Sequence, residues 1–134
     1  MTKQAAVTDV VLDASALLAL LNEEPGAALV EEAVTSGAII SAVNLAEVAT
    51  KLTELGANQT EISNALDPMS LRVVPFDATL AYATAALRPA SRRFGLSLGD
   101  RACLALGLSL RATVLTTDRA WNKLGLQLAI RLVR

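Results

Sequence analysis

Four carboxylates in this chain occupy positions from which they could share one cation. Asp13 follows the apolar run VVL and Asp118 follows TVLTT. Glu47 lies within NLAEVATKL, and Asp100 within GLSLGDRACLALGLSL. A charged group among valines and leucines is costly to bury unless something pairs with it. Carboxylates brought to one place repel one another, and a bound divalent cation removes that repulsion. Ligands that are all oxygen select a hard ion, Mg²⁺ or Mn²⁺, over zinc. Polar neighbours could complete such a site. Ser15 is two residues after Asp13, Asn44 one turn before Glu47, and Thr116 two before Asp118. Each can orient a carboxylate or a water.

Each acid also has a purely structural explanation. Asp13 and Asp118 could simply cap the helices that follow them. Glu47 has Lys51 one turn on, the spacing of a surface ion pair. Asp100 is three residues after Ser97, an S-x-x-D capping box. The other nine acids lie on polar helix faces, in turns or at element ends.

The elements that must carry the four acids are short and alternate. Residues 8–13 (TDVVLD) predict a buried strand, and 15–24 a helix stopped by Pro25 and Gly26. Residues 27–36 predict a second helix and 38–41 a second strand. A helix over 42–55 follows, its buried stripe formed by Leu45, Val48, Leu52 and Leu55. A short helix spans 59–67. Residues 71–76 form a strand that Pro75 places near a sheet edge. Asp77 caps a helix over 78–87, and 88–95 (RPASRRFG) reads as a loop. A helix over 98–110, a strand over 112–117, a short helix over 118–125 and a last strand over 126–133 complete the chain. Alternation of this kind predicts an α/β sandwich with a mainly parallel sheet, as a single domain over 1–134. In such a sheet, strand carboxyl ends and the following helix starts share one edge, so all four acids can meet there.

Composition narrows the chemistry. The 134 residues contain no histidine, which removes Ser-His-Asp and Cys-His catalysis and histidine zinc sites. Cys103 is the only cysteine, so neither an internal disulfide nor a cysteine zinc cluster can form. A reducing, cytoplasmic setting is the expectation. Aromatic residues make up 3% of the chain, too few for a platform of stacked bases. The net charge of −1 gives no basic body that attracts a polyanion unaided. The apolar run at 10–21 is too short to span a bilayer, and Asp13 interrupts it as a signal peptide. A phosphoaspartate receiver would need an early acidic pair, and a haloacid-dehalogenase-type phosphatase Asp-x-Asp. The sequence here is Asp13-Ala14-Ser15.

VVLDASALLALL, NLAEVATKL, GLSLGDRACLALGLSL and VLTTDRAW resemble, in that order, the four acidic motifs of PIN-domain ribonucleases, most closely the VapC-type toxins. The resemblance implies a PIN-like three-layer α/β/α sandwich. It implies that Asp13, Glu47, Asp100 and Asp118 hold one or two Mg²⁺ or Mn²⁺ ions, with Ser15 and Thr116 as helper hydroxyls. Some relatives carry a further acid where this chain has Asn122. The implied activity is endonucleolytic cleavage of structured RNA (tRNA, rRNA or mRNA) by metal-activated water. The implied setting is the toxin of a type II VapBC-like pair: a homodimer held by a cognate antitoxin protein, with no membrane association. The alternative is a non-catalytic PIN-fold module that binds a protein partner.

Overall fold

The computed structural model describes residues 9–134. Thr8, where the first predicted strand was to begin, lies outside them. The chain runs β1 (Val10–Leu12), α1 (Ala14–Leu21), α2 (Ala27–Thr35), β2 (Ile39–Ser41), α3 (Ala42–Glu54) and α4 (Gln59–Leu66). After a 3₁₀ turn at Asp67–Met69 come β3 (Arg72–Val74), α5 (Ala78–Ala86) and α6 (Arg88–Ser91). A second 3₁₀ turn, Arg92–Phe94, leads to α7 (Leu98–Leu110) and β4 (Thr113–Thr116). A third, Arg119–Lys123, precedes β5 (Ile130–Leu132).

The five strands form one sheet in the order β3-β2-β1-β4-β5, and every pairing is parallel. Side chains alternate across it, as a period of two requires. Val11, Ile39 and Val114 face one side, where Leu104 and Leu106 of α7 join them with Trp121. Leu12, Ile40 and Leu115 face the other, against Leu17 of α1, Val30 of α2 and Val48 of α3. These are two cores on either side of a sheet, the three-layer α/β/α sandwich expected. Each fully buried Val, Leu or Ile contributes about 1.5–3 kcal/mol, so both cores are substantial.

β1 lies at the centre, with β2 on one side and β4 on the other. From β1 the chain passes to β2 on one side and from β4 to β5 on the other, and the crevice beyond the carboxyl ends of β1 and β4 is where α/β sheets bind ligands. β3 is an edge strand, as Pro75 indicated. Gly26 (φ 96°) turns the chain between α1 and α2 in a left-handed conformation, and a Cβ there would overlap the Val133 carbonyl. Among the described residues, no helix is long and apolar enough to cross a membrane.

Four sequence expectations require correction. Residues 88–95 are not a loop but α6 and a 3₁₀ turn, because Pro89 occupies a first-turn position that needs no N–H donor. The segment after Asp118 is 3₁₀ rather than α-helical. The last strand is confined to Ile130–Leu132; Leu126 and Leu128 pack on the core ahead of it. Leu55, assigned to the buried stripe, is 71% exposed, because α3 ends at Glu54 and the chain turns away there.

Candidate active site

β1 leads directly into Asp13, whose backbone N–H still bonds Leu115 O of β4 at 3.1 Å. That pairing holds the residue against the sheet while its side chain caps α1. Asp13 Oδ1 accepts the Ala16 N–H at 2.8 Å and the Ser15 hydroxyl at 2.7 Å. Oδ2 accepts the Thr116 hydroxyl at 2.6 Å. The capping expectation therefore holds, and the cap is buried: Asp13 is 4% exposed.

Three hydrogen bonds do not compensate that burial. Loss of solvent raises the Asp13 pKa from 3.8 to about 6, the bonds from Thr116, Ser15 and Ala16 opposing it and the nearby Asp100 charge adding to it. The site thus contains a carboxylate whose charge is poorly supported by the protein alone.

The two hydroxyls also organise the fourth acidic segment. Ser15 Oγ accepts the Thr117 N–H at 3.1 Å, and Thr116 Oγ1 accepts the Asp118 N–H at 3.0 Å. Each hydroxyl therefore donates to Asp13 and accepts from the turn that presents Asp118. The D-x-S and T-T-D stretches form one hydrogen-bonded unit. Asp118 itself is exposed and caps the following 3₁₀ turn through Ala120 N–H at 3.0 Å.

Asp100 forms the expected capping box with Ser97, with reciprocal bonds of 3.1 and 3.0 Å. It sits in the first turn of α7 and is partly exposed. Glu47, exposed on α3, does not pair with Lys51, which lies 3.8 Å from Glu54 instead. Its carboxylate turns to Asn44, whose Nδ2 donates to Oε1 at 2.8 Å. Asp13, Asp100 and Glu47 all act on buried Cys103, whose thiol is pushed well up first by burial and then by these three charges. The Glu47 carboxylate lies against Gly99, the residue before Asp100 in the first turn of α7, and the Asp100 charge is felt at Asp13.

The structure thus brings Asp13, Asp100 and Glu47 to one region and joins Asp118 to it through Thr116. It does not close them into a cage. Among the described residues, no three Asp, Glu or Cys side chains stand as a ready set of ligands for one ion. The fit to a hard divalent cation is chemical. The donors are all carboxylate oxygens, and Asp13 carries a charge that burial and Asp100 both disfavour. Sequence reasoning did not single out Gly99, over which the Glu47 carboxylate lies. A glycine inside a helix start was the only signal.

Solved structures show the same architecture. A chain of the DNA-bound VapBC structure from Salmonella typhimurium superposes with a TM-score of 0.74 at 19% identity, covering 96% of this chain and 100% of that one. A chain of VapBC2 from Rickettsia felis, bound to a promoter DNA fragment, gives 0.72 at 16% identity over 92% and 97%. FitAcB from Neisseria gonorrhoeae gives 0.67 at 21% identity over 90% and 95%. Among curated proteins, none matches the sequence. Residues 10–126 match the PIN domain, a span that includes all four acids, and the chain belongs to that family.

Proposed function

We propose that this protein is a divalent-metal-dependent endoribonuclease and the toxin of a VapBC-like toxin–antitoxin pair. The observation that carries the reading is buried Asp13 at the carboxyl end of the central strand, held by two hydroxyls yet still deprived of support for its charge. Asp13, Glu47, Asp100 and Asp118 would hold one or two Mg²⁺ or Mn²⁺ ions. Bound there, such an ion makes water a nucleophile near neutral pH and offsets charge developing on the phosphate. Ser15 and Thr116 keep Asp13 in one orientation, each using its single proton on that carboxylate. Arg88, Arg92, Arg93, Arg101 and Arg119 are candidates to contact backbone phosphates. Of these, Arg101 is already tied to the Thr84 carbonyl at 3.2 Å, and Arg93 lies over the Phe94 ring. Cleavage by this route leaves a 5′-phosphate and a 3′-hydroxyl. The solved relatives are toxin–antitoxin complexes, which supports an antitoxin partner. A homodimeric toxin working in the cytoplasm completes the proposal.

The direct test incubates purified protein with tRNA, rRNA and mRNA in Mg²⁺ or Mn²⁺. Cleavage is expected with either ion and none with EDTA. Cleavage that survives EDTA would sink the assignment.

One observation favours a second reading, a non-catalytic module that binds a protein. Asp13, Asp100 and Asp118 all serve as helix caps, and no closed ligand set is present among the described residues. Thermal stability separates the two. A saturating ion binding only the folded state stabilises it by about 2.7 kcal/mol at a hundred times its Kd. Mn²⁺ is therefore expected to raise the melting temperature by several degrees, and Asp100→Asn to abolish the rise. No Mn²⁺ effect on the wild type would favour the binding module.

A further inference from the structure

Asn44 lies in the first turn of α3 and is 1% exposed. Its Nδ2 donates to Glu47 Oε1 at 2.8 Å and to the Gly99 carbonyl of α7 at 3.0 Å. Both amide protons are thereby used, one within α3 and one across to the helix that carries Asp100. The amide cannot be reversed, because its oxygen would then face a carboxylate and a carbonyl, both acceptors. In the observed orientation Oδ1 is buried without a partner. An apolar residue would avoid that cost and lose both bonds.

Gly99 supplies the other half of the contact. It is buried, and a Cβ built on it would overlap both Glu47 carboxylate oxygens. The carboxylate therefore lies directly on the bare Cα of the residue before Asp100. Among the described residues Glu47 has no ion-pair partner. An exposed glutamate in that condition samples many rotamers, and fixing it carries an entropy cost. The bond from Asn44 and the close contact with Gly99 restrict it in advance.

We propose that Asn44 and Gly99 are positioning residues that hold the Glu47 carboxylate beside Asp100, and that this arrangement sets the protein's affinity for its divalent cation. The inference rests on the nuclease reading and names residues that touch neither substrate nor reacting atoms.

The test follows Mn²⁺ binding through the resonance signal of the free ion, alongside RNA cleavage. The proteins compared are the wild type, Gly99→Ala, Asn44→Ala, Glu47→Ala and Gly99→Ala/Glu47→Ala. Gly99→Ala is expected to weaken Mn²⁺ binding roughly tenfold or more, the range seen when groups supporting a metal ligand are lost. Its melting temperature in EDTA should hold or rise, because alanine suits a helix and the displaced carboxylate is a flexible end. Asn44→Ala should weaken binding similarly. In the Glu47→Ala background, Gly99→Ala should change Mn²⁺ affinity less than about twofold, since the group it displaces is gone. Wild-type affinity in Gly99→Ala, or an equal loss with and without Glu47, would overturn the clamp alone. A wild type that binds no Mn²⁺ would overturn the nuclease reading and the clamp with it.

Discussion

Asp13→Asn is expected to abolish RNA cleavage while making the metal-free protein more stable at pH 7. The loss of activity should reach roughly a hundred- to a thousandfold, the range seen when a charge-stabilising group is removed from a site. The gain in stability follows from the pKa. Asp13 titrates at about 6 in the folded protein against an ordinary value of 3.8. The folded state therefore holds its proton more tightly between those values. Stability is greatest below the lower value, falls as pH rises through the window, and is flat above about 6. At about 1.4 kcal/mol per pH unit, the ionised group costs the folded state about 3 kcal/mol at neutral pH.

The substituted amide is neutral at every pH and removes that cost. Its oxygen can still accept from Ala16 N–H and Ser15, and Thr116 can turn its hydroxyl to accept from the new NH₂. The Thr116 proton then loses its acceptor, which reduces the gain to about 2 kcal/mol. The melting temperature in EDTA at pH 7 should rise by roughly 5–10 °C. At pH 4 most of the difference should vanish, because the wild-type carboxyl is then protonated. An equal gain at both pH values would assign the effect to packing rather than charge.

Thr116→Val removes one hydroxyl from two tasks at once. The side chain keeps its shape, but Asp13 Oδ2 loses a 2.6 Å donor and the Asp118 N–H loses a 3.0 Å acceptor. Thr116 is the largest influence lowering the Asp13 pKa, so its removal should carry the carboxyl above about 6. In EDTA, the decline of stability with rising pH should extend to higher pH than in the wild type. The Asp118 N–H, at an exposed residue, is left to water, a loss of about 0.5–1.5 kcal/mol. Cleavage should fall about 10–100-fold, as for a group that orients a metal ligand. Thr116→Ser retains the hydroxyl and should restore most of the activity. A valine variant as active as the serine one would show that Thr116 matters only for packing.

Much of this site was legible in the sequence because its residues sit where local rules operate. Asp13 and Asp118 could be placed because each ends an apolar β-branched run, and Asp100 because Ser97 precedes it at capping-box spacing. Ser15 and Thr116 were close in sequence to the acids they serve. Other features depend on contacts that no local pattern encodes. The Asn44 bond to Gly99 spans 55 residues. The pairing of Lys51 with Glu54 rather than Glu47 reflects what Asn44 offers the glutamate instead. Periodicity extended the α3 stripe to Leu55, yet only packing decides where a helix leaves its core. Residues 88–95 contained a proline, glycine and arginines, composition that a loop and a proline-started helix share.

The central strand β1 precedes β4, its partner at the site, with two strands and several helices between them in the chain. Thr116 reaches Asp13 across 103 residues. On a ribosome adding about 5–20 residues per second, Asp13 emerges roughly 5–20 s before the residues that hold it. During that interval the nascent chain has an aspartate but no assembled site. Chains interrupted before Thr116 would therefore lack the assembled site, with the Asp13 carboxylate left without the Thr116 hydroxyl that holds it.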